Sequence, residues 1–271
     1  MAYRTASPMT YDEEIAKRVL LPVASAVYTD HPQWCLLSVG WEILGKWTTD
    51  CMTDTCSVLL AVHRKKRILT IAFRGSYDTQ KMVSHEFFAE MLPEFGKTKI
   101  GQYYSEALTA FPYDGTSFTR IEYFLRRYGY YEIWMTGHSL GGALTSTMAV
   151  HLVKNMGVDP RRMRIYTFGA PRVGDEAFAN MYDELFPASF RIIRGSDPVP
   201  QIHESLNYRH HSTEIFYPDS EMEPLSFTKC SGQEDNKCSK SVQSSMIAMG
   251  NHDVYFGRKV ASWAIRGCPQ S

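Results

Sequence analysis

Between Tyr131 and Lys154 the chain passes from a strand-like run into a helical one through Thr136-Gly137-His138-Ser139-Leu140-Gly141-Gly142-Ala143. Few architectures accommodate such a junction. A serine centred between glycines, with an aromatic and β-branched strand ahead and a helix behind, needs a sharp, strained backbone. A side chain at either flanking glycine would meet the strand or the helix. A glycine-rich turn alone would explain the glycines but not the serine. Gly142 and Ala143 keep the helix slim where it packs close to a sheet. The junction therefore points to a layered α/β fold.

The rest of the chain agrees. Ser57 to Val62 and Ile68 to Phe73 read as strands around the basic turn Arg64-Lys65-Lys66-Arg67. Helices are expected over Tyr103 to Phe111 and around Phe118 to Tyr128, then strand Tyr131 to Thr136 and helix Leu140 to Lys154. Strand Arg164 to Phe168, helix Glu176 to Leu185 and strands Phe190 to Arg194 and Ser212 to Tyr217 follow. This alternation predicts a mainly parallel central sheet flanked by helices. No repeat, low-complexity tract or Gly/Ser linker interrupts it, so one domain over residues 1–271 is expected.

Charge removes other classes of function. Lys plus Arg number 29 against 29 for Asp plus Glu, so no net basic field exists to hold a nucleic-acid backbone. A 44% hydrophobic and 13% aromatic content supports a large core rather than a disordered chain. No run of about 18 apolar residues is present, so no transmembrane segment is expected.

The six cysteines bear on compartment. Cys51 and Cys56 bracket the polar Met-Thr-Asp-Thr, and Cys230 and Cys238 bracket Ser-Gly-Gln-Glu-Asp-Asn-Lys. A buried thiol would have nothing to pack against in either stretch, which favours local disulfides and leaves Cys35 with Cys268. That is one of fifteen possible connectivities, and it implies an oxidising compartment. Neither Cys-x-x-Cys nor His-Glu-x-x-His occurs, so no metal is expected. Met1 to Thr10 is polar, without a signal-peptide pattern, so the expectation is a mature secreted form with an added methionine. Thr10 reads as an N-cap with Glu13 completing a capping box, ahead of the apolar stripe Ile15, Ala16, Val19 and Leu20.

A serine in such an elbow serves as a nucleophile only with a base, and the base needs an orienting carboxylate. Five histidines lie after Ser139. His151 is on the helix of the elbow, three turns away. His210 and His211 precede or enter a strand, where one is expected to point inward. His252, in Gly250-Asn251-His252-Asp253, occupies a late turn suited to a general base, with His203 in reserve. For the acid, Asp197 lies just past the strand that ends at Arg194, on the edge where catalytic groups collect. Asp175 precedes a helix and is accounted for as an N-cap. The backbone N–H of Leu140 and of Ser76, in Phe73-Arg74-Gly75-Ser76, are the candidate oxyanion donors. Arg74 alone reads equally as half of a structural ion pair.

With these residues the sequence resembles the fungal-type class 3 lipases, a branch of the α/β-hydrolases. The matching pieces are Phe73-Arg74-Gly75-Ser76, Gly137-His138-Ser139-Leu140-Gly141-Gly142-Ala143, Thr167-Phe168-Gly169-Ala170-Pro171-Arg172-Val173-Gly174, Asp197-Pro198-Val199-Pro200, and His252 with Tyr255-Phe256-Gly257. They follow the family's order across most of the chain. The resemblance implies a secreted triacylglycerol lipase or related esterase without cofactor or metal. It also implies Ser139 as nucleophile, Asp197 as acid, His252 as base, and Ser76 and Leu140 as oxyanion donors. The bridges resemble arrangements in family members, and the cysteine spacing with the polar insert between Cys230 and Cys238 is similar to nematode members. Lipid or another ester is the implied substrate, and the expectation for the chain itself is a monomer. Two alternatives remain: an esterase for soluble esters such as feruloyl esters, and a non-catalytic lipid-binding module. The chain departs from the fungal pattern after Ser76, where Tyr77-Asp78-Thr79-Gln80-Lys81 lacks the lid tryptophan. Residues 82–92 carry Met82, Val83, Phe87, Phe88, Met91 and Leu92 at helical spacing, readable as a lid that touches a lipid interface or as a core-facing helix.

Overall fold

The computed structural model describes residues 10–52, 54–77, 90–111, 117–202, 206–219, 221–242 and 249–269. The first helix, α1 (residues 13–26), includes one π-helical stretch at Ala16–Leu20. It starts two residues later than its sequence suggests. Asp12, not Thr10, is the N-cap, its carboxylate accepting the Ile15 N–H at 3.1 Å. Glu13 does not reach back to Thr10. Its carboxylate accepts from the Tyr217 hydroxyl at 3.0 Å and the Leu225 N–H at 2.9 Å, so a tie to the sheet replaces a surface capping box.

Eight strands form one sheet whose spatial order follows the chain. They are β1 (Glu42–Cys51), β2 (Asp54–His63), β3 (Ile68–Phe73), β4 (Glu132–His138), β5 (Met163–Phe168), β6 (Ser189–Arg194), β7 (Glu214–Tyr217) and β8 (Thr228–Lys229). β3 to β7 are parallel neighbours, while β1 and β2 join as antiparallel hairpins and β8 folds back on β7. The expected mainly parallel centre is present.

Sequential parallel order decides where the helices go. Right-handed crossovers taken in the same direction deposit their helices on one face. α2 (Gln102–Ala110), α3 (Ser117–Arg127), α4 (Leu140–Lys154) and α5 (Glu176–Leu185) accordingly bury one face against Val58, Leu60, Ile71, Ile133 and Met135. Intervening strand residues point the other way, as a two-residue period requires: Leu59, Ala61, Ala72, Trp134 and Tyr166. That face is left to the chain ends, α1 and α6 (Val260–Ile265). The expected disulfides Cys35–Cys268, Cys51–Cys56 and Cys230–Cys238 are all formed. The first joins the segment after α1 to the segment after α6 and so fastens that cover in place.

Two elements differ from expectation. The helical stripe proposed for residues 82–92 ends in a strand: Met91–Glu94 pairs antiparallel with Thr98–Gly101. Pro93, which lacks an N–H, disfavours continued helix, and the chain reverses at Phe95 and Gly96, both at positive φ. Residues 82–89 lie outside the described residues. β1 was not legible as a strand, because it is a half-exposed edge with a register shift between Ile43 and Gly45 that breaks simple alternation.

Candidate active site

β4 ends at His138 and α4 begins at Leu140, which leaves Ser139 alone to make the turn, at φ 60° and ψ −135°. A residue with a Cβ is strained there, at a cost of about 1–3 kcal/mol. Two hydrogen bonds hold it: Ser139 N–H donates to the Phe168 carbonyl at 2.8 Å, and Gly142 N–H to the Ser139 carbonyl at 2.8 Å. A Cβ at Gly137 would collide with the backbone of Gly141, and one at Gly141 with the carbonyl of Phe73. The two glycines thus let β4, α4 and the end of β3 meet at one point.

Asp197 and His252 come together beside that turn. Asp197 follows the end of β6 and is buried; His252, in the turn before the hairpin Val254–Tyr255/Arg258–Lys259, is fully buried. The His252 Nδ1 lies 2.9 Å from Asp197 Oδ1 and 3.0 Å from Oδ2. A carboxylate only accepts, so Nδ1 carries the hydrogen, and in the neutral imidazole Nε2 presents its lone pair. Among the described residues Nε2 is buried and has no hydrogen-bond partner. Asp197 is itself held by the Tyr255 hydroxyl on Oδ2 at 2.7 Å and the Val199 N–H on Oδ1 at 2.9 Å. Burial, then the adjacent carboxylate, push the Tyr255 phenol well above its ordinary pKa, so it remains a donor. Gly169 closes the back of the pair: a Cβ there would crowd Asp197 Oδ2, the Tyr255 hydroxyl and His252 Nδ1.

A second imidazole ties the serine turn to the histidine. The His138 ring stacks on the His252 ring with centroids 4.6 Å apart, and its Nε2 lies 2.9 Å from the His252 carbonyl. That carbonyl accepts, so Nε2 holds the hydrogen and His138 Nδ1 accepts from the Tyr28 hydroxyl at 3.0 Å. The Tyr28 oxygen in turn accepts the Gly75 N–H at 3.1 Å. Burial, then His252, bring the His138 pKa down to about 3, so it stays neutral and does not compete as a base. This relay fixes the loop after β3, where a Cβ on Gly75 would meet the Ser139 Cβ and the His138 carbonyl. The Ser76 hydroxyl donates to Asp54 at 3.3 Å. Arg74 donates to the carbonyl and hydroxyl of Thr55, approaches Asp54 at 4.0 Å, and lies over the Tyr77 ring, as the ion-pair reading anticipates.

Known proteins give this arrangement its family. The model of the class 3 lipases matches residues 70–206, half of the chain, from β3 through the elbow to the loop after Asp197. The chain belongs to the class 3 lipase family. A lipase of Caenorhabditis elegans is 26% identical over 95% of this chain and 83% of that protein. A secreted alkaline triacylglycerol lipase of Penicillium cyclopium is 27% identical over 80% of this chain and 75% of its own length. The Rhizomucor miehei triacylglyceride lipase structure superposes with a TM-score of 0.81 at 23% identity, covering 93% of this chain and 97% of that one. That last likeness supports the α/β-hydrolase fold. Family membership makes this class 3 lipase an ester hydrolase.

The competing site candidates of this lipase have other occupations. Asp175 caps α5, accepting the Phe178 N–H at 2.8 Å. His151 stacks on Phe118. Both His210 and His211 are buried, where one was expected: His210 Nε2 lies 2.8 Å from the Pro200 carbonyl and His211 Nε2 3.0 Å from the Ser146 hydroxyl. His203 lies outside the described residues. Tyr28 and Arg172 were missed as supporting residues. Tyr28 gives no sequence signal, since its partner His138 is 110 positions away. Arg172 sits in a quoted motif, but its role needs the fold. Its guanidinium pairs with Glu234 at 2.8 and 3.0 Å and donates to the carbonyls of Pro200 and Ile202. It thereby joins the Cys230–Cys238 loop to the segment that follows Asp197.

Proposed function

We propose that this lipase hydrolyses triacylglycerols outside the cell through Ser139, His252 and Asp197. The observation that carries the reading is the buried Asp197–His252 pair, tautomerically set, with Nε2 open beside the strained serine turn. In this account the Ser139 hydroxyl attacks the ester carbonyl while His252 Nε2 takes its proton, and Asp197 stabilises the imidazolium that forms. The backbone N–H groups of Leu140, at the start of α4, and of Ser76 receive the developing oxyanion. Collapse passes the proton from His252 to the leaving glycerol oxygen and leaves an acyl group on Ser139. Water activated by His252 then releases the fatty acid. Three disulfides and relatives described as secreted support the extracellular setting.

Hydrolysis of emulsified tributyrin tests both halves of the proposal. Ser139→Ala is expected to lose at least about 10⁴-fold in kcat with its fold intact by circular dichroism. Wild-type protein that cleaves soluble aryl esters but not triacylglycerol would retain the chemistry and reject the substrate. Ser139→Ala retaining full turnover would reject the chemistry.

A further inference from the structure

The net charge of zero conceals a basic pole at the edge of the sheet opposite Ser139. β3, β4 and β5 are parallel neighbours, with Ile68 paired to Glu132 and Ile133 to Met163, so the turns entering them lie side by side. Cationic side chains sit in or beside all three turns. The turn before β3 exposes Arg64, Lys65, Lys66 and Arg67. The one before β4 follows exposed Arg126 and Arg127 at the end of α3, and the one before β5 holds Arg161 and Arg162. Contacts join them into one surface: the Arg67 carbonyl accepts the Glu132 N–H, and Arg162 donates to the carbonyls of Tyr128 and Tyr131. Glu42, Glu122 and Asp159 neutralise Arg64, Arg126 and Arg161. Among the described residues, no carboxylate pairs with Lys65, Lys66, Arg67 or Arg127. Tyr130, 72% exposed, lies in the middle with the Arg67 guanidinium 5.9 Å from its ring centre.

We propose that this pole binds a sulfated polysaccharide. Guanidinium groups match the oxygen geometry of sulfate, a flexible polyanion can follow three adjacent turns, and an exposed tyrosine offers a flat face to a sugar ring. An anionic bilayer would satisfy the same charges but would turn the Ser139 edge away from its lipid. The extracellular setting, proposed above, selects polysaccharide among polyanions; the binding itself does not depend on the catalytic reading.

The test uses the full chain and its Lys65→Glu/Lys66→Glu/Arg67→Glu variant on immobilised heparin in a salt gradient. A sulfopropyl resin serves as the charge-only control, and phosphatidylserine vesicles are the bilayer arm. The wild type is expected to be retained at about 0.1 M salt, where screening acts beyond ~10 Å, and to leave heparin at higher salt than the resin. The variant should bind heparin at least about tenfold more weakly while cleaving a soluble ester within roughly twofold of wild type. A conservative Lys65→Arg/Lys66→Arg variant should retain binding, which separates loss of charge from misfolding. Passage of the wild type through the heparin column, equal elution from both resins, or a variant that loses only vesicle binding would each overturn the proposal.

Discussion

At the scale of single residues, the site depends on which protons are held and which are free. Tyr255→Phe would remove one donor from Asp197 and concentrate charge on its Oδ2. We expect kcat/KM to fall by about tenfold, because the carboxylate that orients His252 loses a fixed partner. Steady-state kinetics on a soluble ester check this. Buried histidines set an acid limit on stability. His138 and His211 are each brought down to about 3, mainly by burial, and His210 is driven well below its ordinary value by burial and the neighbouring Arg191 and Arg172. The unfolded chain binds these protons near pH ~6.5 and the folded one does not, so stability is complete above that value and declines as pH falls toward 3. Thermal melts between pH 7 and 4 should show Tm dropping, and His211→Gln should flatten the slope.

Among elements, the decisive feature is how separate loops are joined at the catalytic edge. Arg172 is almost wholly buried and its charge is met by Glu234 from the disulfide-closed loop. Removing one partner of a buried pair strands the other charge, so Glu234→Ala is expected to cost about 3–5 kcal/mol, and Arg172→Met with Glu234→Leu distinctly less. Urea denaturation of the single and double variants measures this. The sequence exposes one layer of this organisation and hides the next. The elbow, Asp197 and His252 stand out because strand ends and glycines mark their positions. So do the helices Leu140–Lys154 and Glu176–Leu185, whose limits agree with expectation to the residue. Edge strand β1 does not, since its mixed exposure obscures a two-residue period. Met91–Glu94 misleads because a short apolar run fits helix and strand alike until a pairing partner is known. Arg172 and Tyr28 act through partners 62 and 110 positions away, a separation no local pattern encodes.

For the whole molecule, one sheet places the proposed chemistry on one edge and the basic pole on the other, with the termini closing the remaining face. The Cys35–Cys268 bridge spans 233 positions, and the chain-entropy model gives its loss as about 5 kcal/mol at most. Cys35→Ser/Cys268→Ser should therefore lower the urea midpoint more than removal of Cys51–Cys56, which closes a short loop. The central claim, however, is that this fold activates one serine through one histidine. Mass spectrometry after brief exposure to a fluorophosphonate tests it most directly. A single adduct is expected on the peptide containing Ser139, formed at least about 100-fold more slowly in His252→Ala and absent in Ser139→Ala. Labelling that survives Ser139→Ala, or a rate unchanged by His252→Ala, would contradict it.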